Sequence, residues 1–304
     1  MNGFFNVLKP PGMTSSQVVG AVRRLINGEK AGHAGTLDPQ AAGILPVMAG
    51  KAARLFDYLV DKRKAYVAEI AFGAATDTQD AQGHVIEQGE NYPSPEDVRT
   101  VLPRFTGEIL QAPPSYSAIK QDGQRLYDLA RKGVMVQTDP RPILVENIVL
   151  GRETENHGMM LAILCGKGTY VRTLCHDIGQ AVGCPAHMRF LLRTQSGAFT
   201  IDTAYTLEEL HKARDEGRLD ACLLPMDMPL SHLRRADVPR ELENVCRNGG
   251  AMRLSYFPDL WQMAENVPLR VYLHDAFMGI AHIKGPAIVF RAMVGGGLSD
   301  TQYA

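Results

Sequence analysis

The sequence has no apolar run near the roughly 18 residues that a membrane-spanning helix needs. Its start, MNGFFNVLKPPGM, lacks the basic stretch, the long apolar stretch and the small-residue cleavage site of a secretion signal. Cysteine is scarce: the five residues are an odd number in a chain of 304, so a disulfide framework is not expected. We therefore predict a folded cytoplasmic protein whose thiols are reduced and buried.

A strong metal-binding pattern is also missing. Cysteine and histidine cluster between Cys165 and His187, but no C-x2-C pair occurs there. The closest spacing is Cys184-Pro-Ala-His187. We therefore predict no metal site.

The chain has no excess of positive charge, because 32 Lys and Arg residues face 33 Asp and Glu residues. Taken alone, this balance argues against a nucleic-acid partner, since phosphate binding usually leaves a basic footprint. The charges are segregated, however. Residues 9–64 carry nine basic and four acidic residues, whereas acidic residues gather in 77–97 and 202–243. One face could therefore be basic on a neutral molecule, although a mixed-charge solvated surface fits the same counts.

Local patterns predict a mixture of helices and strands. A capped helix should follow Thr14 and end near Asn27-Gly28, and others should begin near Ser94, before Cys175 and at Thr206. Alternating residues after Lys64 predict a strand. Glycines and prolines between 28 and 46 indicate a loop, with a helix resuming near Lys51.

The pattern changes near Leu230. The tail contains short alternating runs separated by turn residues, which is typical of a small β-rich domain. We predict an α+β protein with two parts. A larger domain with a mixed β-sheet and flanking helices spans 1–232, with an excursion at about 105–145, and a β-rich domain spans 233–304.

One aspartate occupies an unusual setting, in the segment Gly32-His33-Ala34-Gly35-Thr36-Leu37-Asp38-Pro39. The glycines permit backbone angles and close ligand approach that other residues do not, and Pro39 biases Asp38 toward an extended conformation. A carboxylate on such a loop is a candidate nucleophile, but Asp-Pro and glycine-rich loops are also common surface turns.

The loop belongs to a set of six segments that follow one another along the chain, and it lies in the second. They are LKPPGMTS (8–15), GHAGTLDPQAAGILPV (32–47), KAYVAEI (64–70), APPSYSAIKQDGQRLYDLAR (112–131), GTYVRTLCHDIG (168–179) and AHMRFLLRT (186–194). Together they resemble the TruB family of pseudouridine synthases. The resemblance implies a pseudouridine-synthase-like catalytic domain, and the short tail is similar in placement to that family's PUA-like RNA-binding domain.

By this resemblance the chain isomerises uridine 55 in the T-loop of tRNA. The N1–C1′ bond breaks, the uracil turns over and rejoins through C5, and no cofactor is needed. Asp38 falls on the family nucleophile and Arg172 on the arginine that pairs with it. Tyr66 falls on the tyrosine that stacks on the target base, and its phenol is a candidate for proton transfer at C5.

The resemblance also implies a substrate-binding set. Tyr170 and Leu191 would confine the detached uracil, and His33 would fill the place of the flipped base. Lys9 belongs to the KPxG element that supports the catalytic loop. Lys120 and Arg125 lie in the excursion that closes over RNA and are candidate phosphate contacts. This chain has Leu192 where the family often has arginine, which weakens the expectation of a phosphate contact there.

Three other interpretations stay open: a guide-RNA-dependent synthase of the dyskerin type, a tRNA-binding or tRNA-folding protein, and a glycosidase. Guide-dependent enzymes usually carry longer basic extensions. Glycosidases usually need two carboxyl groups flanking the bond, and the Asp38 loop offers no obvious second. We therefore predict a monomer that acts on tRNA without a membrane, guide RNA or obligatory protein partner.

Overall fold

The computed structural model describes residues 1–59, 63–114 and 138–295, and between 114 and 138 it describes only the backbone pairing of two short strands. The strands of the larger part are β1 (Gly3–Lys9), β2 (Ala31–His33), β3 (Ala42–Ala49), β4 (Lys64–Phe72), β5 (Ala74–Thr76), β6 (Val85–Gln88), β7 (Gly107–Gln111), β8 (Lys120–Gln121), β9 (Gln124–Arg125), β10 (Arg141–Thr154), β11 (Gly158–Cys165), β12 (Ala186–Ser196) and β13 (Phe199–Thr200). Its α-helices are α1 (Ser15–Leu25), α2 (Pro95–Val101), α3 (Val171–Ala181) and α4 (Leu207–Asp215).

A nine-stranded mixed sheet organises the larger part. Its order is β1-β3-β12-β4-β11-β10-β7, with β2 joined to β3 and β13 to β12. The β3–β12 pair is parallel, whereas β4 runs antiparallel to both of its neighbours. Strands β4 and β12 thus lie side by side near the middle of the sheet, which brings residues that are far apart in the chain into contact. The predicted mixed sheet is confirmed.

The helices begin where their capping residues predict. Thr14 accepts a hydrogen bond from the Gln17 amide, and the Gln17 side chain accepts one from the Thr14 amide. Ser94 and Thr206 form the same kind of capping box at α2 and α4. Each box satisfies two backbone donors that would otherwise lack partners, so these residue types favour a helix start. The sequence therefore predicts the three starts.

The prediction of a loop from Gly28 to a helix near Lys51 is wrong in part, because β2 and β3 lie within that stretch. Residues 34–41, which include Asp38, form neither helix nor strand, and a 3₁₀ helix (Gly50–Tyr58) lies where a helix was predicted. Strand β3 is almost wholly buried, so its residues form a continuous apolar run without the alternation that marks a half-exposed strand. Gly43 is needed in it: its φ is +119°, and a Cβ there would lie 2.2 Å from the Arg193 carbonyl oxygen.

Apolar residues pack into several clusters around the sheet. Helix α1 and helix α4 cover β1 and β3, with Val18, Val22 and Leu210 fully buried. Helix α3 contributes Leu174 and Ile178 to a second cluster that also contains residues of α2, β4 and β11. The five cysteines are free and buried, as predicted.

The C-terminal part forms its own sheet, from β14 (Arg234–Asp237), β15 (Met252–Arg253), β16 (Pro268–Leu273), β17 (Ala276–Lys284) and β18 (Ala287–Met293), with a short helix α5 (Glu243–Arg247). Its order is β14-β16-β17-β18-β15. This confirms the predicted β-rich tail. A small cluster containing Leu55, Leu230 and Ile280 joins it to the larger part. The domain boundary between 232 and 233 stays a prediction.

Among residues 1–59, 63–114 and 138–295, no helix is long and apolar enough to cross a membrane.

Candidate active site

A cavity of about 180 Å³ lies where the loop after β2 meets β4, β12 and the start of α3. Five residues singled out from sequence line it: Asp38, Tyr66, Tyr170, Arg172 and Leu191. Pockets for drug-sized ligands usually enclose about 300–1,000 Å³. This cavity therefore suits a single flat ring better than a nucleotide cofactor.

Asp38 and Arg172 form an ion pair in this cavity. The Arg172 Nε lies 3.0 Å from Asp38 Oδ2, and its Nη2 lies 3.5 Å from Asp38 Oδ1. The Arg172 side chain is only 6% exposed, whereas the Asp38 side chain is 41% exposed. The arginine thus orients the carboxylate from behind and leaves it open to a ligand, as a nucleophile requires.

A turn between β5 and β6 holds the other side of Arg172. The Arg172 Nη1 donates to the Thr78 carbonyl at 3.1 Å and lies 3.7 Å from Asp80 Oδ2. Thr173, the next residue on α3, donates to the Gln79 side chain at 2.8 Å. The buried guanidinium therefore faces two carboxylates, which offsets the cost of removing it from water.

Side chains from other elements hold the backbone around Asp38. The Ser15 hydroxyl donates to the Leu37 carbonyl and accepts from the Leu37 amide. The Lys9 ammonium is fully buried and donates to the carbonyls of Pro10, Met13 and Pro39 at 2.6 to 2.9 Å. Lys9 therefore lies behind the loop and supports it, and does not reach the cavity lining.

Tyr66 is 7% exposed on β4, directly opposite Arg193 of β12. Burial raises the pKa of its phenol to about 12, although the charge of the adjacent Arg193 guanidinium opposes this shift. The hydroxyl consequently keeps its proton at neutral pH. It can donate that proton in a hydrogen bond or to a developing anion.

The cavity wall at the start of α3 is fixed by Gln111, which is 2% exposed. Its amide nitrogen donates to the Tyr170 carbonyl at 3.1 Å, and its amide oxygen accepts from the Tyr170 backbone at 2.8 Å. Leu191 is 7% exposed and pairs with Ala68 across β4 and β12. Both predicted apolar positions therefore line the cavity.

The remaining predicted residues lie elsewhere. His33 is half-buried on β2, and its Nδ1 has no hydrogen-bond partner among the described residues. Burial and the nearby Arg193 charge lower the pKa of His33, so a neutral ring is favoured. Lys120 and Arg125 pair with each other between β8 and β9, and their side chains lie outside the described residues.

Sequence reasoning missed several residues that shape the site: Ser15, Lys64, Asp80, Gln111 and Arg193. All but Asp80 lie in or next to a quoted segment, but the role of each depends on a contact across the sheet or between loops. Leu192, where the family often has arginine, was expected to weaken a phosphate contact at this point of β12. In the structure Arg193, beside it, is fully buried and makes internal contacts.

Comparison with known proteins agrees with this geometry. Residues 23–171 match the model of the TruB family pseudouridylate synthase N-terminal domain, and residues 172–231 match the model of the tRNA pseudouridylate synthase B C-terminal domain. The chain belongs to the TruB family of pseudouridylate synthases. The boundary between the two family models falls inside α3.

Curated relatives cover nearly the whole chain. A tRNA pseudouridine synthase B from Alkaliphilus oremlandii is 42% identical over 93% of this chain and 94% of that protein. Another, from Geobacillus thermodenitrificans, is 37% identical over 96% of this chain and all of that protein.

Among solved structures, a Cbf5–Nop10–Gar1 complex contains a similar chain. It has a TM-score of 0.71 and 26% identity, and the match covers 96% of this chain and 84% of that one. The fold is therefore shared with a protein that was solved together with two partner proteins.

Proposed function

We propose that this protein is a tRNA pseudouridine synthase that isomerises uridine 55 of the T-loop. The observation that carries the proposal is the exposed Asp38 carboxylate, held by the buried Arg172 at a cavity that also contains Tyr66. Relatives named tRNA pseudouridine synthase B, at 37% and 42% identity, support the choice of tRNA.

The contacts suggest a division of roles. The target uridine leaves the RNA stack and enters the cavity, where the Tyr66 ring packs against the base. Asp38 is the nucleophile that leads to cleavage of the N1–C1′ bond, and Arg172 keeps its carboxylate aimed. Tyr170 and Leu191 confine the free uracil while it turns. When C5 forms the new bond to C1′, the C5 proton leaves and the freed N1 takes up a proton, so the product has the same atoms as uridine.

Three residues outside the cavity are proposed to contact the RNA. His33, next to the loop, is proposed to occupy the position that the flipped base leaves, and Lys120 and Arg125 to contact phosphate. We further propose that the protein acts as a monomer in the cytoplasm and that residues 233–304 form a PUA-like RNA-binding domain.

A guide-RNA-dependent activity is the second candidate, because the Cbf5 chain in a complex with Nop10 and Gar1 has the same fold. Its identity to this chain is 26%, below the 37% to 42% of the two relatives named for tRNA. The independent enzyme is therefore the better-supported proposal.

One assay separates the two candidates. Purified protein is incubated with an unmodified tRNA transcript, without guide RNA, metal or nucleotide, and pseudouridine is mapped by a chemical stop assay. One new site in the T-loop is expected. Tight binding without modification would favour the guide-dependent or RNA-folding alternatives, and absence of both would refute the proposal.

The role of Asp38 has a direct test. Asp38→Asn keeps the shape of the side chain and an oxygen that can accept from Arg172, but removes the nucleophile. Turnover should fall by about 10⁴-fold or more, while RNA binding is retained. The exposed Asp202→Asn serves as the control and should keep full activity. Substantial turnover by Asp38→Asn would remove the assignment.

A further inference from the structure

Arg193 is among the largest fully buried side chains of the protein, with 0% exposure. A guanidinium remains charged inside proteins, so its burial requires partners. Among the described residues no carboxylate lies within ion-pair distance of it. Arg193 differs in this from Arg172, which faces two carboxylates.

The hydrogen-bond partners of Arg193 are backbone carbonyls of β3 and of the loop that carries Asp38. Its Nε donates to the Ile44 carbonyl of β3 at 2.7 Å. Its Nη1 and Nη2 donate to the carbonyls of Thr36 and Gly35, each at 3.2 Å. On β12 the residue stands directly opposite Tyr66 of β4, and its charge lowers the pKa of the phenol, against the larger raising effect of burial.

These partners surround the reactive groups. Thr36 is two residues before Asp38, and beyond it the loop is held by Ser15 at Leu37 and by Lys9 at Pro39. The carbonyl of Asp38 itself accepts from the Ala41 amide. Among these residues only Arg193 is also the cross-strand neighbour of Tyr66, so it links the loop to the strand that carries the phenol.

We propose that Arg193 is a positioning residue that sets the relative placement of Asp38 and Tyr66, and that it makes no contact with the RNA. This inference rests on the function proposed above. The planar fork of arginine reaches several acceptors at fixed angles, which a lysine ammonium on a flexible stem does not reproduce. A displacement of about 1 Å at a reacting group can cost about 100-fold in rate.

The first test compares Arg193→Lys with Arg189→Lys. Arg189 lies on the same strand, is 31% exposed, contacts Glu69 at 3.0 Å and donates to two carbonyls, so it is a matched arginine away from the cavity. Single-turnover pseudouridine formation and the RNA Kd are measured for both. Arg193→Lys should lose about 100-fold in rate with an unchanged Kd. Arg189→Lys should keep the wild-type rate.

Two further measurements separate positioning from simple loss of folding. Hydrogen exchange of the peptide covering 34–41 should quicken in Arg193→Lys while exchange of β16 to β18 is unchanged. Arg193→Ala should regain part of its rate when guanidinium ion is added at low millimolar concentration, which should not accelerate the wild type. These results would support placement of the loop by the guanidinium.

Other outcomes would overturn the inference. A wild-type rate in Arg193→Lys, or a rate loss that follows the unfolded fraction alone, would show that the guanidinium does not position the site. A raised Kd would indicate an RNA contact instead. If the wild type itself makes no pseudouridine, the proposed function fails, and the exchange measurement, which needs no RNA, still tests whether Arg193 holds the loop.

Discussion

Lys9 gives the sharpest prediction about stability, because its ammonium is fully buried behind the Asp38 loop. Desolvation lowers its pKa from 10.5 to about 8, and Arg193 adds to this effect while Asp38 opposes it. Lys9→Met keeps most of the apolar length of the side chain and removes the titrating group. The comparison of wild type with this variant therefore isolates the proton of Lys9.

The sign follows from proton binding. Between pH 8 and 10.5 the unfolded chain holds the Lys9 proton more tightly than the folded one, so raising the pH favours the folded state. The free energy of unfolding of the wild type, relative to Lys9→Met, should be flat below pH 8 and rise by about 3 kcal/mol up to pH 10.5. The steepest slope is about 1.4 kcal/mol per pH unit.

Urea unfolding at pH 7, 8, 9 and 10 measures this difference. The variant leaves three carbonyls without their donor, which changes its unfolding free energy at every pH. The test is therefore how the difference in unfolding free energy between wild type and variant changes with pH, and not its value at one pH. The exposed Lys30→Met controls for the loss of one positive charge. A difference that falls as the pH rises would mean that the three carbonyl contacts hold the proton more strongly than burial expels it, and would refute the reasoning.

Two variants test the groups around the ion pair. Asp80→Asn removes one of the two carboxylates facing Arg172, so turnover should fall by about 10-fold to 100-fold at unchanged RNA Kd; a wild-type rate would mean that Asp38 alone orients Arg172. Tyr66→Phe keeps the ring and deletes the hydroxyl of the buried phenol. If the phenol transfers a proton, the single-turnover rate should fall by about 100-fold or more while RNA binding is retained. An unchanged rate would mean that only the aromatic ring of Tyr66 contributes to catalysis.

The sequence predicted the elements whose signals are local. Capping residues at Thr14, Ser94 and Thr206 lie within three positions of their partners, and the structure places helix starts there. Strand β3 was not predicted, because a strand that is buried on both faces shows no alternation of apolar and polar residues. Its Gly43 and Pro46 suggested a loop instead. The need for Gly43 depends on the backbone of Arg193, 150 residues later.

The site shows the same division. The resemblance selected Asp38, Tyr66 and Arg172 because they occur in recognisable segments, and the structure places all three at one cavity. Their catalytic roles stay predictions. The resemblance gave no role to Arg193 or Asp80, since each acts through a contact that only the sheet order or a turn creates. The roles of Lys120 and Arg125 stay predictions, because their side chains lie outside the described residues.

Burial also changes what the basic residues mean. Counted along the sequence, cations are candidates for phosphate contacts, but Lys9, Arg172 and Arg193 are all buried. All three contact backbone carbonyls or carboxylates around the Asp38 loop, so they stabilise the site and add little to a basic surface. An ordinary net charge of −1 is therefore compatible with an RNA enzyme. The positive charges nearest the proposed chemistry hold the nucleophile in place, and recognition of RNA must depend on exposed residues and on the shape of the folded loop.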